Sequence, residues 1–178
     1  MSLFRMLALS LALLTLSACG LTASHRNPGF VDLPGASLLT KGQATTVSIG
    51  PMVLRLVASK MDDDPEARAL LQGLQGVQVH HYPLEEGSRR AASYLGDMQT
   101  SLRVGGWLPV ALVRNEGDTV HLLMKGSEQE IVGLVLLVQQ PDQAVVVNVM
   151  GNLQPEHFAA AMKALEIEAG DSVEVAAS

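Results

Sequence analysis

Glu130-Ile131-Val132-Gly133-Leu134-Val135-Leu136-Leu137-Val138-Gln139 is the stretch that decides the fold of this 178-residue chain. Its apolar residues run almost unbroken from 131 to 138. That is too short to cross a hydrocarbon layer, which takes about 20 residues of helix. It suits a central strand, buried on both faces or on one face and at its ends. Downstream, Pro141-Asp142 turns the chain into a second strand over 144–150. Upstream, strands over 107–114 and 119–125 flank Asn115-Glu116-Gly117-Asp118, a short hairpin signal. Further upstream, Val77-Gln78-Val79-His80-His81-Tyr82 alternates as a strand and is stopped by Pro83.

Helical spacing fills the intervals. Pro51 suits a first helical position, and Met52, Val53, Leu56 and Val57 follow at helical spacing. Asp62-Asp63-Asp64-Pro65-Glu66 then reads as a stop and restart. Asp64 is placed to cap the new helix, and Glu66 suits its positive end. Ala67, Leu70, Leu71 and Leu74 form the inward stripe of this helix. A third helix covers 88–103, with Ala91, Leu95, Met98 and Leu102 inward and Gly105-Gly106 past its end. A last helix begins near Pro155, with Phe158, Ala161, Met162 and Leu165 along one side. These elements predict one α+β domain over 47–170, in two layers. An antiparallel sheet of about four to five strands is covered on one face by three to four helices. Residues 171–178 are expected as a flexible tail.

The N-terminal end carries an address. Arg5 and an apolar core over 7–16 precede Leu16-Ser17-Ala18-Cys19, which contains the only cysteine. Small residues before a cysteine admit a signal peptidase, and the thiol then accepts diacylglycerol. The expectation is a signal peptide over 1–18, cleavage between Ala18 and Cys19, and lipidation of Cys19. An ordinary secretory signal would leave an unpaired terminal thiol, a liability outside the cell. Gly20, where an aspartate favours inner-membrane retention, points to the outer membrane, facing the periplasm. Residues 19–46 are rich in Ser, Thr, Gly and Asn with Pro28 and Pro34, and read as a tether. Within them Phe30-Val31-Asp32-Leu33-Pro34 is apolar enough to dock. Without Arg5 the chain has eleven Lys/Arg against eighteen Asp/Glu, a net charge of about −7. No basic cluster interleaved with aromatics offsets this, so a nucleic-acid partner is not expected.

Possible chemical groups each have a plainer reading. His80 and His81 are strand neighbours on opposite faces and do not easily share an ion. One of them could meet His121, but no nearby Cys, Asp or Glu completes a tetrahedral set. Asp62-Asp63-Asp64 lacks the alternation and glycine of a calcium loop. Gly87-Ser88 and Gly126-Ser127 read as cap and turn, and Glu85-Glu86 as a loop leading into a helix. Arg89 and Arg90 open the third helix, with Arg103 near its end, where a solvated face or a Glu85 or Glu86 partner is the simpler account. Trp107 and Tyr94 belong to a small inventory of one Trp, two Tyr and three Phe. That predicts aliphatic packing rather than a stacking groove. Neither a nucleophile motif nor a phosphate cradle occurs. No metal, cofactor or catalytic residue is expected.

The lipobox, the paired helices, Gly76-Val77-Gln78-Val79, the tryptophan-led strand and Val147-Asn148-Val149-Met150-Gly151 together resemble the DUF4252 lipoproteins of bacteria, over about 47–165. The resemblance implies an exported lipoprotein domain and supplies no catalytic residues. As its members often lie near sigma-factor and anti-sigma genes, it also implies a link to envelope signalling. The expected function is a lipid-anchored envelope module that binds or supports a protein partner. A regulatory lipoprotein of envelope signalling is the alternative, and a periplasmic enzyme the third reading.

Overall fold

The computed structural model describes residues 21–32, 44–84, 89–115, 117–127, 129–154 and 173–175, with backbone alone at 66, 89–92 and 173–175. Its sheet contains β1 (Thr45–Ile49), β2 (Leu74–Pro83), β3 (Leu108–Asn115), β4 (Asp118–Gly126), β5 (Ile131–Gln139), β6 (Gln143–Leu153) and the short β7 (Val173–Val175). The order is β1-β2-β6-β5-β4-β3-β7, and each of these pairings is antiparallel. The expected strands are all present, but four to five was too few. The two additions are the edges: β1 begins in the stretch read as a tether and runs past its end at 46, and β7 lies in the stretch read as a tail.

Helices lie on both faces of the sheet, a correction to the two-layer expectation. On the first face, α3 (Arg89–Val104) places Leu95, Met98 and Leu102 against Tyr82, Leu123, Val135, Leu137, Ala144 and Val146. On the second, α1 (Pro51–Ala58) and α2 (Pro65–Gly73) pack Leu54, Leu70 and Leu71 against Val77, Met124, Leu134 and Val149. Leu123 and Met124 are strand neighbours, as are Leu134 and Val135, so the two clusters sit on opposite sides. The continuous aliphatic run of β5 follows from this burial. The last helix expected near Pro155 lies outside the described residues.

The caps match their sequence signals. Asp64 accepts a hydrogen bond from the Ala67 amide at 2.9 Å, and Pro65 follows it. At the end of α3, Gly106 takes φ +83°. The Trp107 amide donates to Leu102 O at 3.0 Å and the Gly106 amide to Arg103 O at 3.1 Å. This is a Schellman ending, completed by apolar contact of Trp107 and Leu102 in one core. Helix α1 departs from the simple reading. Leu54 and Ala58 are its buried residues, so the apolar spacing of Met52, Leu56 and Val57 faces outward.

The largest departure concerns residues 21–32. They form a strap packed on the first face along their whole length, whereas the sequence leads one to expect docking only of the segment 30–34. Asn148, only 1% exposed, projects from β6 beneath it. Its Oδ1 accepts from the Val31 amide at 3.0 Å, and its Nδ2 donates to Gly29 O at 2.8 Å. Gly133 of β5 permits the approach, since a Cβ there would lie 2.8 Å from Gly29 Cα and 2.8 Å from Trp107 Cη2. The strap is held at its start too. The Gly50 amide donates to Leu21 O at 2.7 Å, and the Ala23 amide to Ser48 Oγ at 3.1 Å. Asn27 Nδ2 donates to Gln75 Oε1 at 2.7 Å. Val31 then enters the α3 core.

Truncating Asn148 would leave the Val31 N–H and the Gly29 carbonyl buried without partners. Asn148→Ala is expected to destabilise the fold by about 2–4 kcal/mol, measured by urea unfolding. A change below about 0.5 kcal/mol would mean that the strap contributes nothing to the fold.

Candidate functional site

Alternation along β2 puts Gln78, His80 and Tyr82 on the first face, under the start of the strap. β1 pairs beside it, with Thr46 opposite His80 and Ser48 opposite Gln78. Together with Ala23, His25 and Asp32 of the strap, these residues line a cleft of about 520 Å³. Sheet, edge strand and strap each supply one wall.

Polar groups in the cleft are unevenly satisfied. Ser48 Oγ is used by the Ala23 amide. Thr46 Oγ1 lies 3.1 Å from His80 Nδ1. The other ring nitrogen, His80 Nε2, is buried with no hydrogen-bond partner among the described residues, and so is Gln78 Oε1. Gln78 is 5% exposed. A buried, unpaired amide oxygen costs about 1–3 kcal/mol, so two such atoms in one cleft call for an explanation. Burial holds the His80 pKa below its usual value, which keeps the ring neutral. Burial, and secondarily the nearby Tyr94, pushes the Tyr82 hydroxyl up to about 12. Tyr82 also stacks on His80, ring centroids 6.3 Å apart and planes 7° apart. The cleft therefore combines one fixed acceptor, Gln78 Oε1, and one imidazole nitrogen whose role follows the tautomer with the carboxylate of Asp32 on the strap side.

Across the segment Phe30 to Asp32 lies a second cavity of about 380 Å³. Tyr94, Met98, Leu102 and Trp107 make its walls mainly apolar, with Asp97 and Lys125 at hand. Lys125 Nζ sits 5.8 Å from the Trp107 ring centroid, within cation–π range. Burial raises the Tyr94 pKa, helped by the charge on Asp32. Trp107 itself is buried and serves the core.

The other residues singled out from the sequence scatter. His81 faces the second side and donates from Nε2 to Gln143 Oε1 at 2.8 Å, if Nε2 carries the proton. His121 shares the first face with His80. However, β6 and β5 stand between their strands, which puts them roughly 14 Å apart. Gln99 Nε2 approaches His121 Nδ1 at 3.2 Å. The three histidines are not brought together. Asp62 takes Arg68 at 3.3 Å, and Asp64 is the cap already described. Ser127 Oγ accepts from the Gln129 amide at 3.3 Å, within a turn. Arg103 is exposed in the last turn of α3. The positions of Arg89 and Arg90 are given by backbone only. Ala18, Cys19, Glu85, Glu86, Gly87 and Ser88 lie outside the described residues.

Sequence reading missed Gln78, Thr46 and Ser48. A signal was present: 78 and 80 are polar on the same strand face as the apolar Tyr82, one strand in from an edge.

The family model described as a domain of unknown function, DUF4252, matches residues 40–161. That span takes in β1 to β6 and the sheet wall of the cleft, while the strap precedes it. No curated protein and no solved structure matches the chain. On a match of this extent, the chain belongs to the DUF4252 family.

Proposed function

We propose that this protein is a lipid-anchored module of the bacterial envelope, attached through Cys19, that binds a partner and does not catalyse. We place its ligand contact in the cleft between the strap, β1 and β2. The observation that carries the binding reading is the pair of buried unpartnered atoms, Gln78 Oε1 and His80 Nε2. Both are closed to solvent, so the group that satisfies them enters by displacing part of the cleft wall. Because Gln78 Oε1 only accepts, the group offers an N–H or O–H. The imidazole asks for no formal charge on the group, and Asp32 in the same lining disfavours an anion. An amide or a hydroxyl fits both demands.

Catalysis is the weaker reading of the same geometry. Thr46 and His80 are a hydroxyl beside an imidazole, but among the described residues no carboxylate takes the second ring nitrogen to fix its tautomer. The anchor rests on Leu16-Ser17-Ala18-Cys19 and the short apolar core before it. Two or three acyl chains would hold the protein at the membrane without a spanning segment.

Three outcomes follow. Intact-mass analysis of the membrane fraction is expected to find the chain starting at an acylated Cys19, with Cys19→Ser released into the soluble fraction. An unmodified terminus would remove the anchor. Gln78→Leu deletes an unpaired acceptor while keeping much of its volume. Its stability in urea is expected to stay level or rise by up to about 1 kcal/mol. Titration shifts on the His80 ring with N-acetylglucosamine or acetamide as probe would be lost. Marked destabilisation would show that Gln78 serves the fold instead. Finally, His80 and His121 both have lowered pKa values, from burial first and, for His121, from Arg114 as well. The unfolded chain therefore takes up protons before the folded one. Stability is expected to hold above pH 6.5, to decline as the pH falls through 6.5, and to level off below the folded pKa values. His80→Gln should flatten the slope in a series of urea midpoints.

A further inference from the structure

The outer side of α1 is apolar. Leu54 and Ala58 point to the core, and directly opposite them Leu56 is 62% exposed, flanked by Met52 at 50% and Val57 at 48%. A helix that is apolar around most of its circumference is normally enclosed, and no described element covers this side. Its charged neighbours, Arg55 and Lys60, are exposed at the margin. Leu21, 48% exposed, is fastened to the start of this helix by the Gly50 amide at 2.7 Å.

Cys19 precedes Leu21 by two residues, so it reaches no more than about 7 Å from it. Acyl chains on Cys19 therefore leave the protein beside α1, and the packed strap supplies no slack to lift the domain away. We propose that Leu21, Met52, Leu56 and Val57 form a membrane-docking surface, seated in the headgroup and upper acyl region of the bilayer that holds the anchor. This rests on the acylation of Cys19 proposed above. Arg55 and Lys60 suit the rim of such a surface, with stems along the apolar patch and charges at the headgroups. The consequence is orientation. Because α1 and α3 cover opposite faces of the sheet, docking through Leu21 and α1 turns α3 and the far end of the strap, at Phe30 to Asp32, away from the lipid.

The test uses the full acylated protein in phosphatidylethanolamine–phosphatidylglycerol vesicles, with tryptophan placed by Leu56→Trp or, on α3, by Thr100→Trp. Bromines on the upper acyl chain are the quencher, and unsubstituted protein provides the Trp107 background. Quenching at 56 is expected to exceed that at 100 by at least about threefold, as for side chains seated roughly 5–10 Å into the interface. Mass analysis of the same sample separates the two ideas. Acylated protein with equal quenching at both sites overturns the docking surface and leaves the anchor standing, whereas an unacylated terminus removes the anchor itself. If Cys19→Ser protein in solution instead dimerises with a blue shift at 56, a second copy covers the patch, and the lipid assignment is overturned.

Discussion

One buried side chain, Asn148, connects the N-terminal strap to the rest of the molecule. Its carboxamide holds a backbone donor and a backbone acceptor of the strap, at Val31 and Gly29, from the middle of β6. A buried amide is tolerated only when its atoms are paired, and here the pairing is with a segment far away in sequence. Gly133 is the steric counterpart, leaving the strap room to lie on β5. With the strap so fixed, Val31 completes the α3 core and residues 22 to 32 become a wall of the cleft. The start of the strap is held separately, at Leu21 by the Gly50 amide and at Ala23 by Ser48 Oγ.

Much of the fold is written in local pattern. The aliphatic run of β5, the hairpin at Asn115 and Asp118, the Asp64 cap and the glycines after α3 all act over a few residues, so periodicity and turn chemistry reveal them. The errors come from contacts between distant segments. β1 is exposed along most of its length and shows no clean alternation, so Thr45 and Thr46 look like the end of a linker. The strap has no period of its own, and its order comes from Asn148 and Gly133, more than 100 residues on. The spacing of Met52, Leu56 and Val57 is helical, but periodicity says only that a stripe exists. Which side it faces depends on what α1 packs against, and Leu54 and Ala58 take that role.

The site was less legible for a related reason. Sequence reading ranked residues by chemical type, and so tested histidines as ligands and carboxylates as acid–base pairs. Fold geometry separates those groups and assembles others: Gln78 and His80 from β2, Thr46 and Ser48 from β1, and Asp32 from the strap. None is distinctive alone. They become a site because two polar atoms are buried without partners beside a neutral imidazole. Seen with the apolar outer side of α1, the molecule has two differentiated regions. One is the polar cleft walled by the strap, for which we propose a hydrogen-bonding ligand. The other is apolar and exposed, formed by Met52, Leu56 and Val57 beside Leu21, and is the surface for which we propose a lipid contact.

Native-state hydrogen exchange at the Val31 amide tests the central claim most directly. If Asn148 clamps the strap, that amide exchanges only through large-scale unfolding, with protection close to that of the β5 and β6 amides. Exchange at the rate of an unstructured peptide, with β5 and β6 still protected, would show that the segment is a free tether, and the clamp would have to be abandoned.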